Sequence, residues 1–297
     1  MKKQRKPLHA VLLLDKPAAI SSNHALQQTR WVYQAQKAGH GGTLDPFATG
    51  LLPILFGDAT KFGRYFLDGD KAYHVTLAFG TETDSGDLTG EVVRQAPVPD
   101  LQQIDWQNVC AHFSGAQSQT PPAYSALKID GQRAYELARR GETPEMAARD
   151  IVIHELRLLH LHENTTEFYV RCSKGTYIRS LVRDIAAYLG SAGHASALRR
   201  VEVAGLRDMI ALKRLRALRE AEDFATLHSL LLPLDACVAH LPRLDVPDEK
   251  YRFIRNGNDI ACVSSHTGEV ALYHDGQFFG VGEARGERVY PVRLCSV

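Results

Sequence analysis

The chain has 297 residues, of which 44% are hydrophobic and 23% are charged. These fractions are typical of a globular protein of one or two domains, and they exclude a disordered or fibrous chain. The net charge is +1, no run of 18 apolar residues occurs, and no small-residue cleavage site follows the basic N-terminus, so we expect a cytoplasmic protein without a transmembrane helix.

Apolar spacing and turn residues predict alternating strands and helices in the first half of the chain. Alternate apolar residues from Lys71 to Phe79 indicate a strand with one buried face. Three glycines within residues 38–45 indicate an irregular loop. The predicted elements are a strand at 11–14, a helix at 21–33, the loop at 38–45, a strand at 71–79, a polar loop at 81–90, a helix at 104–113, a proline-containing connector at 117–125 and a short helix at 135–140.

The second half begins with a predicted strand at 167–173. Apolar residues from Ile178 to Leu189 follow helical spacing, and Gly190 ends this amphipathic helix. Residues 212–232 are mostly helical in pattern. Beyond Pro247, short apolar stretches separated by Asn-Gly, Thr-Gly, Asp-Gly and Arg-Gly steps predict a small all-β module, with a boundary near residues 240–247.

The small net charge conceals a strong segregation of charge along the chain. Residues 1–64 hold nine basic and three acidic residues, and residues 171–219 hold eleven basic and three acidic residues. The two remaining segments are acidic overall. If the basic segments meet in the fold, they form a cationic face of the kind that binds polyanions. Charge counting alone leaves open the alternative that these charges scatter and pair locally.

Asp45 is the first candidate for chemistry. Pro46 favours an extended backbone at Asp45, and the preceding glycines permit backbone angles that other residues rarely adopt. The acidic side chain is therefore expected to be exposed and held in a fixed direction. An Asp-Pro step is also a common way to begin a turn, and the residues alone leave both interpretations open. His40 lies in the same loop, where a polar surface role is the simpler alternative.

Aromatic and basic residues supply the other candidates. Tyr73 lies on the predicted strand, where core packing would also explain it. Tyr177 and Arg179 flank the start of the amphipathic helix. A cation there opposes the helix dipole, which indicates a carboxylate or phosphate partner, although a solvated arginine remains possible.

Several common site motifs are absent. The sequence contains no P-loop, no GxGxxG that opens a helix and no HExxH. The five cysteines lie more than 20 residues apart, which excludes a CxxC zinc pattern and a compact disulfide framework. We therefore predict reduced thiols and a chemistry that uses no metal, nucleotide or redox cofactor.

Residues 39–50, GHGGTLDPFATG, resemble the GHxGxLDPxATG motif of the TruB family, the bacterial tRNA pseudouridine-55 synthases. Six further segments match that family in the expected order, strongly over residues 8–205 and weakly to the C-terminus. They are LLDKP at 13–17, TKF at 60–62, KAY at 71–73, YSALK at 124–128, CSKGTYIR at 172–179 and LRR at 198–200.

The resemblance implies an α/β protein of the α+β type, with a mixed, mainly antiparallel central sheet flanked by helices. It implies a catalytic domain over 1–243, an RNA-gripping insertion over about 115–150 and a PUA-like all-β module over 244–297. The implied reaction isomerises uridine in the T-loop of tRNA, with breakage of the N1–C1′ bond and rejoining through C5. The implied partner is the tRNA T-arm, with no membrane, no obligatory protein partner and a monomeric enzyme.

The resemblance also assigns roles to individual residues. Asp45 matches the catalytic aspartate, and Arg179 matches the arginine that pairs with it, which would lower the pKa of Asp45 and keep it ionised. Base flipping is expected, because the target base must leave its stack to be reached. The matched substrate-binding residues are the tyrosines Tyr73 and Tyr177, His40 for the space that the flipped base leaves, Leu198 as an apolar wall and Lys61 as a basic residue near the pocket. Tyr73 is also expected to be catalytic, as a tyrosine near C5 that helps proton transfer there.

Two other classes of protein remain compatible with the sequence. One is a non-catalytic protein that binds and folds tRNA, and the other is a guide-RNA-dependent pseudouridine synthase with partner proteins. A nucleoside hydrolase is a third possibility, which would release free uracil. The sequence also leaves open whether Asp45 attacks C1′ or abstracts the 2′ proton.

Overall fold

A computed structural model describes residues 5–122, 124, 128–129, 132–133, 140, 146–261 and 266–296. The helix predicted at 135–140 lies outside these residues except for Arg140, as do much of the predicted insertion at 115–150 and most of the YSALK segment. The strands, in chain order, are β1 (Ala10–Lys16), β2 (Ala38–His40), β3 (Thr49–Phe56), β4 (Lys71–Phe79), β5 (Thr81–Thr83), β6 (Val92–Gln95), β7 (Gly115–Gln119), β8 (Lys128–Ile129), β9 (Gln132–Arg133), β10 (Arg149–Leu161), β11 (Thr165–Cys172), β12 (Gly193–Val203), β13 (Ile210–Ala211), β14 (Arg243–Asp245), β15 (Ile260–Ala261), β16 (Gly268–His274), β17 (Gln277–Arg285) and β18 (Arg288–Leu294).

The α-helices lie between these strands. In chain order they are α1 (Ser22–Tyr33), α2 (Gly63–Asp68), α3 (Trp106–His112), α4 (Ile178–Tyr188), α5 (Leu212–Glu220), α6 (Phe224–Ser229) and α7 (Asp248–Arg255). Two 3-10 helices cover Gly57–Phe62 and Leu234–Val238. No helix in the described part of the chain is long and apolar enough to cross a membrane.

The main sheet runs in the order β13-β1-β3-β12-β4-β11-β10-β7, and β2 pairs with β3. Only the β1–β13 and β3–β12 pairs are parallel among its described strands, so the prediction of a mixed, mainly antiparallel sheet is confirmed. The β3–β12 pair is short: Thr49 and Gly50 face Arg199 and Arg200. This pair joins the strands β13, β1, β3 and β2 to the strands from β12 to β7.

Local sequence explains how helices α1 and α4 and strand β4 form. The Ser21 hydroxyl accepts a hydrogen bond from His24 N (3.1 Å) and caps α1. In α4 the predicted apolar stripe is buried, and the helix packs on β12 and β4. Burial of Tyr73, Val75, Leu77 and Phe79 on β4 fits the period of two that predicted this strand.

Some elements differ from the sequence predictions. The glycine-rich loop at 38–45 begins with a short strand, β2, and the polar loop at 81–90 begins with β5. The helical stretch at 212–232 is broken into α5 and α6, because Asp223 accepts a hydrogen bond from Thr226 N (3.0 Å) and caps a new helix.

A second sheet of described strands runs in the order β14-β16-β17-β18-β15. It buries its own apolar cluster around Leu272 and Val289 under α7. The other face of this second sheet packs on the part of the chain that forms the main sheet, and there the Phe278 ring lies 5.3 Å from the Phe62 ring. An all-β C-terminal module is therefore confirmed, whereas the boundary between 243 and 244 stays a prediction.

Candidate active site

A cavity of about 310 Å³ lies over β4 and β12, between the loop that follows β2 and the start of α4. This volume is at the lower end of the range for small-ligand sites. Five of the residues predicted from the sequence line it: Asp45, Tyr73, Tyr177, Arg179 and Leu198. Leu67, which the sequence reading did not single out, also lines it and is 53% exposed.

An ion pair between Asp45 and Arg179 forms the polar centre of the cavity. Arg179 Nε lies 2.9 Å from Asp45 Oδ2. The Arg179 side chain is only 4% exposed, whereas the Asp45 side chain is 36% exposed. The guanidinium is therefore fixed inside the protein, and the carboxylate keeps a surface turned toward the cavity.

Three further acceptors hold the Arg179 guanidinium. Its NH1 group donates to Ser85 O (2.5 Å), and its NH2 group donates to Tyr124 O (2.8 Å). NH1 also lies 3.5 Å from Oδ2 of the buried Asp87 carboxylate. A planar guanidinium with fixed donors is restrained when several acceptors surround it. Residues 81–90 are predicted from the sequence only as a polar loop, and nothing in their pattern indicates this support for Arg179.

Buried donors also fix the loop that carries Asp45. The Ser22 hydroxyl donates to Leu44 O (2.9 Å) and accepts from Leu44 N (2.8 Å). Lys16 Nζ donates to Pro46 O (3.3 Å), and Arg200 NH2 donates to Gly42 O (3.1 Å). Ser22, Lys16 and Arg200 are each at most 3% exposed. Ser22 and Arg200 thereby satisfy backbone groups of the buried residues Leu44 and Gly42, which would otherwise be unpaired.

The motif glycines make room for this arrangement. A Cβ atom on Gly50 would lie 2.2 Å from Arg200 O, and one on Gly41 would lie 2.7 Å from Phe66 Cβ. Gly50 also has a φ of +99°, which side-chain-bearing residues rarely adopt. Lys16 and Arg200 stand within the motifs quoted above, and Ser22 lies among the residues expected to cap the first helix, but none of the three is predicted from the sequence to hold this loop.

The pKa of Asp45 corrects one expectation. Burial raises it above the usual value, and nearby Asp87 adds to this rise, while Arg179 and Lys16 act in the opposite direction. Arg179 therefore acts as predicted, but the net direction is upward because removal from water outweighs the ion pair. Burial also lowers the pKa of Lys16 to about 8 and raises that of Tyr73 to about 12.

The two tyrosines are held differently. Tyr73 is 9% exposed on β4 and shares a hydrogen bond with Arg200. Tyr177 is the residue before α4, and the Gln119 side chain brackets its backbone: Nε2 donates to Tyr177 O (3.1 Å), and Oε1 accepts from Tyr177 N (2.8 Å). Gln119 thus positions the start of the helix that carries Arg179.

Two predicted site residues do not line the cavity. His40 lies on β2, where burial and the charge of Arg200 lower its pKa, and its Nδ1 atom has no hydrogen-bond partner among the described residues. Lys61 pairs with Asp58 (3.0 Å) and donates to Leu294 O (3.0 Å). Lys61 does not line the cavity, and Asp58 and the C-terminal segment occupy its ammonium group; a place near the pocket stays a prediction.

Comparison with known proteins gives consistent results along the chain. The model of the "TruB family pseudouridylate synthase (N terminal domain)" matches residues 30–178. The "tRNA pseudouridylate synthase B C-terminal domain" matches 179–239, and "Pseudouridine synthase II TruB, C-terminal" matches 242–295.

Curated relatives and solved structures match over nearly the whole chain. The tRNA pseudouridine synthase B of Nitrosococcus oceani is 44% identical over 99% of this chain and 98% of its own length. The protein of that name from Chromobacterium violaceum is 43% identical over 98% and 96%. A chain in the structure of an H/ACA RNP bound to a substrate RNA containing 2'-deoxyuridine is 21% identical, with a TM-score of 0.73 and coverage of 97% and 86%, which shows a shared fold.

Proposed function

The chain belongs to the TruB family of pseudouridylate synthases, so it is an enzyme that converts uridine to pseudouridine in tRNA, and we propose that its target is position 55 in the T-loop. The observation that supports the proposal most directly is the cavity-facing Asp45 carboxylate, held 2.9 Å from the buried Arg179 guanidinium. A carboxylate so placed suits chemistry at the anomeric carbon of a ribose.

The reaction requires no net redox change. The N1–C1′ bond breaks, the uracil turns within the cavity, and C5 forms the new bond to C1′. The C5 hydrogen leaves as a proton, and N1 of the product carries a proton in its place. The target nucleotide must first leave its stack to enter a cavity of this size. We propose that Asp45 acts on the ribose, either by attack on C1′ or by removal of the 2′ proton.

The walls of the cavity are proposed to hold the base. Tyr73 stays a neutral phenol because its pKa is about 12, and its ring offers a stacking face together with Tyr177. Stacking of a base on an aromatic ring contributes roughly 1–3 kcal/mol. Leu198 supplies the apolar wall. We propose that His40, which is half-buried on β2 and does not line the cavity, contacts the RNA outside it.

The proposed partner is the tRNA T-arm alone, with no obligatory protein partner, no cofactor and a monomeric enzyme in the cytoplasm, where tRNA is found. The alternative of a non-catalytic tRNA-binding protein is not favoured, because the ion pair at Asp45 and Arg179 is intact. A guide-RNA-dependent enzyme would be inactive without its partner complex, which gives a direct test.

The test uses purified protein, a T-arm stem-loop labelled with tritium at uracil C5, and no other component. Wild type is expected to release tritium without free uracil. Asp45→Asn and Arg179→Ala are expected to lose turnover, with tRNA affinity within about threefold of wild type for Asp45→Asn, since a neutral amide of the same shape keeps the pocket. Binding without release by wild type would contradict the proposal, and free uracil would indicate a hydrolase.

A further inference from the structure

A larger cavity, of about 630 Å³, opens on the surface between α1 and α5. Asp15, Thr49 and Arg199 line its floor, Gln28 lines the α1 side, and Lys213 and Arg216 line the α5 side. Arg199 is neutralised within the floor, because its NH1 and NH2 groups donate to the two oxygens of Asp15 at 3.0 and 2.8 Å. The remaining positive charge of this groove comes from Lys16 and from α5.

Helix α5 is a strongly basic amphipathic helix. It buries Leu212, Leu215 and Leu218 and turns its basic residues outward. Lys213 and Arg216 are exposed, and neither has an ion-pair partner in the described ranges. Glu220, at the last turn, is the only acidic side chain on this helix, and it also lines the groove, where it offsets one of the two positive charges of Lys213 and Arg216. Exposed cations without an ion-pair partner at the rim of a groove are suited to an anionic ligand with repeating charge.

The groove lies next to the Asp45 cavity. Lys16 lines the groove, and its Nζ atom donates to Pro46 O in the loop that carries Asp45. Through Lys16 the groove therefore adjoins the loop that positions Asp45, and an RNA with one nucleotide in the cavity carries further phosphates beside that loop.

We propose that the groove between α1 and α5 binds the phosphodiester backbone of the RNA substrate through Lys213 and Arg216, outside the nucleotide that enters the cavity. This inference rests on the proposed function for the identity of the RNA. Phosphate contacts of this kind fix the register of the RNA without reading its sequence. They also release counterions, so each contact steepens the salt dependence of binding.

The test compares the Lys213→Ala/Arg216→Ala double variant with wild type in tRNA binding at several salt concentrations. The Kd is expected to rise about tenfold, and the slope of log K against log salt to decrease by about 1.4 to 2, for two lost phosphate contacts. In turnover assays KM for tRNA is expected to rise by a similar factor, while kcat changes less than twofold.

Two matched variants make the result decisive. Lys213→Arg/Arg216→Lys keeps both charges and is expected to restore wild-type affinity. Arg252→Ala removes an exposed cation from α7, distant in sequence from the groove, and is expected to change neither Kd nor salt slope. Wild-type affinity and slope in the double variant, or an equal loss in Arg252→Ala, would overturn the inference. Tight tRNA binding by wild type without tritium release would contradict the proposed function. The comparison of Kd between the double variant and wild type would still test the groove.

Discussion

The Ser22 hydroxyl offers the sharpest test of how the fold positions Asp45. One oxygen atom donates to Leu44 O and accepts from Leu44 N, directly before the catalytic candidate in the chain. Ser22→Ala removes both bonds and leaves two buried backbone groups unpaired. At roughly 1–3 kcal/mol for each group, the free energy of unfolding is expected to fall by about 2–6 kcal/mol.

The same change is expected to reduce activity. A displacement of about 1 Å at the reacting groups can lower a rate by about a hundredfold, so we expect kcat to fall by ten- to a hundredfold in the tritium-release assay. Ser21→Ala is the matched control, because it removes only the cap of α1 at the neighbouring residue. It is expected to cost about 1 kcal/mol of stability and to leave kcat unchanged. If Ser22→Ala matched Ser21→Ala in both measurements, the hydrogen bonds to Leu44 would not position Asp45.

Three further outcomes are expected. The acid limb of the kcat/KM–pH profile, which reports the free enzyme, should lie above the ordinary aspartate value of 3.8, because burial raises the pKa of Asp45 and activity needs the ionised form. In Arg179→Lys this limb should not move below the wild-type position, and a limb at or below 3.8 in wild type would refute the reasoning. Lys61→Ala should lower the melting temperature and leave kcat within twofold, because the Lys61 ammonium group binds Leu294 O and Asp58. A large loss of kcat would instead indicate that Lys61 acts in the active site. With a thiol-specific alkylating agent followed by mass spectrometry, Cys110 should react before the buried Cys172 and Cys237, whose pKa values burial raises to about 12; equal rates would contradict the described burial.

Sequence reasoning predicted the chemistry-bearing residues better than the residues that support them. Asp45, Tyr73, Tyr177, Arg179 and Leu198 line one cavity, although they come from separate parts of the chain. Their motifs were recognisable because they combine glycines, aromatic residues and charges at fixed spacing. The role of each side chain remains a prediction until the variants are measured.

The supporting contacts could not be predicted because their partners are backbone atoms. Lys16 and Arg200 donate to carbonyl oxygens in a loop that folds back on them, and any residue type can supply such an acceptor. Strand β12 was also missed, since buried Arg200 and Glu202 interrupt the apolar alternation that marks a strand. The direction of the Asp45 pKa depends on burial, which spacing does not reveal.

The short β3–β12 pair has a consequence for folding. Asp45 belongs to the part of the chain that leads into β3, whereas Tyr73, Leu198 and Arg179 lie on or beside the strands on the other side of that pair. Asp45 and Arg179 are separated by more than a hundred residues in sequence, so bringing them together closes a long loop, and contacts of this kind tend to form slowly. The cavity is thus completed only when the two halves of the sheet have docked, and acquisition of activity during refolding reports the moment of that docking.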